Sequence, residues 1–148
     1  MKMKVEDGIS KWAEKVLNRS STAGIRAWLN RVAYPKLLQV QLKRWQTEGS
    51  SEGETWAALN PDYARSKLKR FAGFPGGGRK MLIATGRLVQ SMTGQSGEGR
   101  KIVTENKLEL VTTVPYAVYV DEKRDITGLS EETVDELVDE LISYLMGA

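Results

Sequence analysis

The sequence predicts a single α+β domain in which several helices come first, a small antiparallel β-sheet follows, and an amphipathic helix ends the chain. Apolar residues recur at helical spacing up to about residue 92 and again after residue 130. Between these regions, residues 100–114 alternate in polarity and are rich in β-branched side chains. Helices and strands do not alternate along the chain, so a doubly wound parallel sheet is not expected.

The composition is that of a globular domain, and it excludes several classes of functional site. The chain has 148 residues, enough for one core, with no cysteine and no histidine. Disulfides, zinc-thiolate sites and thiol nucleophiles are thereby excluded, and the commonest general base is missing. No apolar run approaches the ~20 residues of a membrane span, and the charged amino terminus does not resemble a signal peptide. We expect a protein that is not an enzyme, with no catalytic residues, no cofactor, no metal and no membrane partner.

The first elements are predicted to be helices. Residues 5–18 have a helical apolar pattern and are expected to form a peripheral amino-terminal helix within residues 1–19 (Val5, Ile9, Trp12, Val16). Residues 20–22 predict a turn and an N-cap. A second apolar pattern then runs to residue 46 (Ile25, Trp28, Leu29, Val32, Leu38, Leu42, Trp45). Pro35 interrupts it, so residues 22–46 are either one kinked helix or two helices that meet at Tyr34-Pro35.

The polar stretch 47–54 contains two glycines and predicts a mobile loop. The next helix is predicted to begin with Asn60 as its N-cap and Pro61 at its first position. Its inward side is expected to carry Tyr63, Leu68 and Phe71, and its outward side Arg65, Lys67, Lys69 and Arg70.

The glycine-rich stretch 72–79 raises the question of a phosphate-binding loop. Such a loop needs the pattern G-x-x-x-x-G-K-[ST] after a strand. Here Arg79 follows Gly78 where the lysine should stand, and Met81 follows Lys80 where a hydroxyl is needed. The preceding segment also predicts a helix. We therefore interpret the stretch as a flexible surface loop.

The second half of the chain predicts a short helix, a hairpin and a long helix. Thr85 follows an apolar run and is expected to cap a helix through about Met92. Residues 100–114 predict a hairpin with its turn at 105–107, and residues 116–129 fit either a strand or a short helix. Ser130 is predicted to cap a final helix whose first turns are acidic. Its apolar stripe is expected to comprise Val134, Val138, Leu141 and Leu145, widened by Leu137.

Charge is distributed unevenly along the chain. Residues 1–100 carry 18 Lys and Arg against 8 Asp and Glu, a net +10, whereas residues 101–148 carry 4 against 11, a net −7. Such a chain can attract copies of itself head to tail, or place a basic surface near nucleic acid. Two differing solvated faces are the simpler interpretation.

Two groups of charged residues have the composition of possible binding sites. Asp135 with Asp139 and Glu136 with Glu140 share faces of the last helix, where a solvated acidic surface is favoured over a divalent-ion site. Cations at 65–70 and at Arg79 and Lys80 suggest a small DNA-binding protein as the alternative function. No helix-turn-helix or stacking-sheet motif accompanies these cations, so solvated side chains are favoured.

Three separated segments of the chain form one recognisable pattern. They are the run Trp56-Ala57-Ala58-Leu59-Asn60-Pro61-Asp62-Tyr63 with the later Lys67, the run Met81-Leu82-Ile83-Ala84-Thr85-Gly86-Arg87-Leu88-Val89-Gln90-Ser91, and the pair Tyr116-Ala117. Together they resemble the bacteriophage virion-morphogenesis family of tail-completion or head–tail joining proteins. The family pattern is W-x-x-L-[ST]-P, then I-L-x-x-T-G-x-L-x-x-S, a hairpin, a Y-A pair and a carboxy-terminal helix. The resemblance covers about residues 20–146. The histidine, glycine and proline-arginine stretch that usually follows the Y-A pair is missing, which indicates a divergent member or a related neck or tail protein.

The resemblance implies a structural virion protein, located at the head–tail junction or tail and in the host cytoplasm during assembly. It implies a homo-oligomer, with a ring as the expected form, that binds other phage neck or tail proteins. Arg79 and Lys80 are the expected contacts with DNA in the channel. The implied structural or interface residues are Trp56, Leu59, Pro61, Tyr63, Thr85, Gly86, Leu88, Ser91, Tyr116 and Ala117.

Overall fold

The structure, a computed structural model, describes residues 14–79, 81, 83 and 85–147. Helices and one two-stranded sheet make up this part of the chain, which confirms the α+β class. The main elements are α1 (residues 14–20), α2 (Thr22–Trp28), α3 (Tyr34–Gln46), α4 (Pro61–Arg70), α5 (Arg87–Met92), β1 (Gly99–Val103), β2 (Leu108–Thr112), α6 (Ala117–Lys123) and α7 (Glu131–Met146). Within it, no helix is long and apolar enough to cross a membrane.

Residues 22–46 form one continuous helical path rather than two helices. Ser21 caps it, and a π-helical turn, Leu29–Ala33, joins α2 to α3. The N–H of Tyr34 bonds to the carbonyl of Leu29, five residues back. Pro35 has no N–H to donate, and the wider turn directly before it lets the helix pass the proline without ending.

The described part of the chain contains two clusters of buried hydrophobic residues. The tryptophan cluster is formed by Trp45, Trp56, Leu88, Met92, Val114, Ala117 and Ile126. The helical cluster is formed by Trp28, Leu29 and Ala33. Val103 and Leu108 of the hairpin and Leu137, Leu141 and Tyr144 of α7 pack against the helical cluster. The carboxy-terminal helix α7 therefore packs against the cluster formed by the end of α2 and the π-helical turn.

The hairpin lies where the sequence predicts it. Strands β1 and β2 pair antiparallel from Gly99 opposite Thr112 to Val103 opposite Leu108. The segment after Pro115 is helical, as α6, and this decides between the strand and the helix that its sequence allows. Ser130 caps α7 by accepting from the N–H of Thr133, as predicted.

The predicted inward faces of three helices are partly wrong. In α4, Lys67 is 2% exposed, whereas Tyr63 and Leu68 are 47% and 44% exposed. In α3, Leu42 is exposed, while Gln41 and Arg44 are buried. Gln41 donates through Nε2 to the carbonyl of residue 126, and Arg44 donates through Nη2 to the carbonyl of residue 128. Gln41 Oε1 and Arg44 Nη1 are buried without a hydrogen-bond partner among the described residues.

Helix α7 turns its predicted stripe partly outward. Val134 and Val138 are exposed, because the helix packs through the neighbouring edge that holds Leu137, Leu141 and Tyr144. The predictions for Val5, Ile9 and Trp12, and for Lys80, concern positions outside the described residues.

Candidate functional site

A cleft of about 450 Å³ opens between α4, α5 and α6, beside the tryptophan cluster. We call it the α4–α6 cleft. Most of its lining comes from all three segments of the phage-family resemblance (Leu59, Tyr63, Lys67, Thr85, Gly86, Arg87, Leu88, Tyr116), and Phe71 and Val120 complete it. Residues that lie up to 61 positions apart in sequence thus meet at one surface, which the sequence alone did not reveal.

Helix α4 supplies one wall of the cleft. Asn60 accepts from the N–H of Asp62, and Pro61 occupies the first turn, as predicted. Tyr63, Lys67 and Phe71 follow one another at intervals of four residues, so they share one helix face. That face looks into the cleft. This spacing was the signal that could have placed Lys67 with the aromatic residues instead of on the outward side.

Lys67 is a buried cation at the base of this wall. Its burial lowers the pKa of its ammonium group below the ordinary value, although the charge of Glu48 opposes the shift. The carboxylate of Glu48, which lies in the 47–54 loop, also accepts a hydrogen bond from the N–H of Met81 at 3.0 Å. The charge of Lys67 is therefore held between the 47–54 loop and the segment that leads into α5.

The glycine-rich stretch packs against α4 instead of opening a helix after a strand. Pro75–Gly78 form a 3₁₀ turn that follows α4. Gly78 has a φ of +75°, and a Cβ there would lie 2.5 Å from the carbonyl oxygen of Lys67. Glycine is required because the loop backbone approaches the helix backbone this closely. The stretch therefore has a packing role at the back of the cleft wall, and the predicted mobility of residues 47–54 and 72–79 stays a prediction.

The Thr85-Gly86 turn forms the second wall. Gly86, with φ of +85°, is itself the N-cap of α5. The sequence predicts Thr85 as the cap, which is wrong by one residue. The Thr85 hydroxyl accepts a hydrogen bond from the N–H of Arg87 at 3.4 Å. The helix ends at Met92, as predicted. The left-handed backbone at Gly86 is the reason that a glycine follows the threonine.

Leu88 and Ser91 connect the cleft to the core and the hairpin. Leu88 is buried in the tryptophan cluster, as predicted. Ser91 donates to the carbonyl of Leu88 at 2.8 Å and shares a hydrogen bond of 2.7 Å with the Thr112 hydroxyl. The prediction that Ser91 satisfies a backbone group is confirmed, and its bond to β2 fixes α5 on the sheet.

Arg87 lies at the rim and is paired with a carboxylate. Its guanidinium contacts Glu98 through Nε at 2.9 and 3.0 Å and through Nη2 at 2.5 Å. This hydrogen bonding raises the pKa of Arg87 and lowers the pKa of Glu98. Both groups stay charged near neutral pH, so the pair gives the rim a fixed shape and little net charge.

Trp56 anchors the segment that precedes α4. Its Nε1 donates to the carbonyl of Asp125 at 2.8 Å, and its ring meets Trp45 edge-on at 5.5 Å. Tyr116 lies at the mouth of the cleft, 42% exposed, while Ala117 is buried. Of the predicted interface residues, Trp56 and Ala117 are thus core residues, and Tyr63 and Tyr116 are surface-accessible.

A network of buried charges beside the cluster was missed by the sequence analysis. Arg44 donates to the carbonyl of Gly128, and its Nη2 lies 4.0 Å from Glu52. Glu52 accepts from the hydroxyls of Ser130 and Thr133. Burial lowers the pKa of Arg44, although the charges of Asp125 and Glu52 oppose the shift. The network joins α3, the 47–54 loop and the start of α7.

The other candidate charges are scattered. Among the described residues, no group of three or more acidic side chains is placed to hold a metal ion. Glu136 of the predicted acidic face instead pairs with Lys36 at 2.7 Å. Arg79 is exposed at the end of the 3₁₀ turn and does not line the cleft. Lys80, its expected partner in contacting DNA, lies outside the described residues.

Comparison of the chain with family models, with curated proteins and with solved structures gives no match.

Proposed function

We propose that this chain is a structural phage protein that acts in virion morphogenesis, in tail completion or head–tail joining, as a ring-forming subunit. The observation that carries the proposal is the convergence of the three resemblance segments around the α4–α6 cleft. Motif residues that come together at one accessible surface support a role in binding, whereas motif residues spread through a core would support only a role in folding.

The chemistry of the cleft favours recognition over bond-making. Its walls are mainly aliphatic and aromatic, and its charged members are the buried Lys67 and the Glu98-paired Arg87. Apolar walls with a few polar groups are typical of binding surfaces. The exposed rings of Tyr63 and Tyr116 are of the residue type that dominates the energy of protein interfaces.

The test is removal of the gene from the phage or prophage that carries it, followed by electron microscopy of the lysate. We expect filled heads and tails that fail to join, or tails with incomplete ends, and full rescue by the wild-type gene in trans. Labelled protein should co-purify with complete particles. Normal infectious particles that lack the protein would overturn the proposal.

The DNA-binding alternative makes a different prediction. A regulator would bind duplex DNA with a steep salt dependence and a site preference. Titration of fluorescent duplexes at two salt concentrations separates the two functions. We expect weak binding without sequence preference, as for incidental contact with channel DNA.

A further inference from the structure

Helix α7 leaves one apolar face uncovered. Val134, Val138 and Ile142 are 42%, 47% and 49% exposed. They are spaced by four residues and so form one row on the helix, which we call the α7 stripe. The row lies beside the edge that packs on the helical cluster, so it is not needed to hold α7 in place.

The α7 stripe has a strongly acidic border. Helix α7 carries six carboxylates and no lysine or arginine. Asp135 and Asp139 lie three positions before Val138 and Ile142, which places them next to the stripe. Both are exposed, and among the described residues neither takes part in an ion pair. A partner for this face should be apolar in the middle and basic at the edge.

The α4–α6 cleft of the same chain has these properties. Its mouth is formed by the half-exposed rings of Tyr63 and Tyr116. Its three helices carry six lysines and arginines against three carboxylates, and Glu98, which pairs with Arg87 at the rim, reduces the net charge from +3 to +2. Arg70 of α4 is exposed, and its guanidinium lies 5.3 Å from the centre of the Phe71 ring, which lines the cleft. The charges of the two surfaces are therefore of opposite sign, which favours their association and its correct orientation.

The two surfaces lie on different parts of the domain. The α7 helix packs on the helical cluster, whereas the cleft opens beside the tryptophan cluster and no residue of α7 lines it. A contact between unlike surfaces of identical chains is heterologous, and its repetition closes a ring or extends a filament.

We propose that the α7 stripe of one copy docks in the α4–α6 cleft of the next copy, as an amphipathic helix in a groove. The inference rests on the proposed ring-forming function and specifies the contact that would build the ring. The occupant is a second copy of this chain, and Asp135 and Asp139 approach the exposed Arg70 beside its cleft.

The test uses two charge-changing variants of the full chain, one for each surface. Tyr63→Glu places a carboxylate in the cleft, and Val138→Arg places a cation in the stripe. Both side chains are about half exposed, so the variants are expected to fold, which circular dichroism and urea unfolding check. If either is unfolded, Tyr116→Glu and Ile142→Arg replace them. Ile102→Lys, at an equally exposed apolar position on β1, is the matched control.

Sedimentation equilibrium measures self-association at concentrations up to about 1 mM. Wild type and Ile102→Lys should associate, and each surface variant alone should associate at least about tenfold more weakly. An equimolar mixture of Tyr63→Glu and Val138→Arg should regain association. The regained contact uses the intact stripe of the first variant and the intact cleft of the second.

Three results would overturn the docking. They are a monomeric wild type, self-association of Tyr63→Glu equal to wild type as a stripe-to-stripe contact requires, and a mixture that stays monomeric. These results are distinguishable from failure of the proposed function. If the docking fails but gene removal still blocks assembly, the chain is a virion protein that joins its neighbours through another surface.

Discussion

At the scale of single residues, the burial of charged side chains is the feature that differs most from what the sequence pattern predicts. Lys67, Arg44 and Glu52 sit at positions that helical spacing alone assigns to solvent or to a mobile loop. Each is placed by a specific partner from a distant part of the chain. Burial lowers the pKa of Lys67, so its charge state couples stability to pH in a direction that can be measured.

Lys67 should make the domain more stable as the solution becomes alkaline. Its folded pKa lies below the ordinary value of 10.5 because burial penalises the ammonium form. Between the folded and the unfolded pKa, the unfolded chain binds more protons, so the free energy of unfolding rises with pH. One proton gives a slope of at most about 1.4 kcal/mol per pH unit.

The measurement is urea unfolding of wild type and Lys67→Met between neutral pH and the ordinary lysine pKa. The difference between the two proteins isolates the titration of this group. Lys69→Met, at an exposed neighbouring position, is the control and should keep the wild-type slope. Equal slopes in wild type and Lys67→Met would contradict the burial of this charge.

Asp125 should stabilise the domain above its pKa and cease to do so in acid. Burial disfavours its charge, but the N–H groups of Gly128 and Thr127 and the charge of Arg44 outweigh burial, so the pKa lies below the ordinary 3.8. The stabilisation is complete above the unfolded pKa and is lost as the pH falls through the folded value. Asp125→Ala should cost about 1.5–3 kcal/mol at pH 7.

Thermal and urea unfolding from pH 7 down to the acid transition test this prediction. The penalty of Asp125→Ala should shrink as the pH falls, because the wild type loses the same contribution by protonation. Asp135→Ala removes an exposed carboxylate and should change stability by less than about 0.5 kcal/mol. A penalty that does not depend on pH would show that the charge of Asp125 is irrelevant.

At the scale of elements, helix ends were predictable and helix faces were less so. Asn60, Pro61 and Ser130 act at the positions that their local sequence indicates, because a cap needs only its own first turn. The inward face of a helix depends on what lies opposite. The Lys67 face of α4 meets the 47–54 loop and the cleft, and no local pattern specifies that encounter.

Ser130 ties α7 to the rest of the domain as well as starting it. Its hydroxyl accepts from the Thr133 N–H at 3.2 Å and donates to Glu52 at 2.8 Å. Ser130→Ala should therefore destabilise the domain by about 1–2 kcal/mol, toward the upper end of the range for caps. Ser143→Ala, at an exposed site in the last turn of α7, should be nearly neutral. Equal midpoints of urea unfolding for the two variants would contradict the role of the cap.

At the scale of the whole molecule, residues 1–100 and 101–148 carry opposite net charges, and each segment contributes to a different surface, the α4–α6 cleft and the α7 stripe. The acidic segment ends in α7, and the basic segment contributes the α4 and α5 walls of the cleft. Hydrophobic contact and charge complementarity respond differently to salt. Their balance in the proposed self-association can therefore be measured separately from its existence.

Self-association should weaken several-fold, without disappearing, when the salt concentration rises from about 0.1 M to 1 M, where the screening length shortens from ~10 to ~3 Å. The apolar part of the contact remains, because salt does not weaken hydrophobic burial. Asp135→Asn combined with Asp139→Asn should associate less at low salt and lose most of the salt dependence. Unchanged salt dependence in this double variant would exclude the acidic border of the stripe from the contact.

The sequence by itself determined the class of the fold, the hairpin and the helix caps Asn60 and Ser130, because these follow from local periodicity and turn chemistry. It left open whether residues 22–46 form one helix or two. Only the tertiary structure decided that Lys67 is buried, that Val134 and Val138 face outward, and that Tyr63, Gly86 and Tyr116 border one cleft. These outcomes depend on contacts between residues far apart in the chain. The free energy of such contacts is set by packing and desolvation, which no short stretch of sequence encodes.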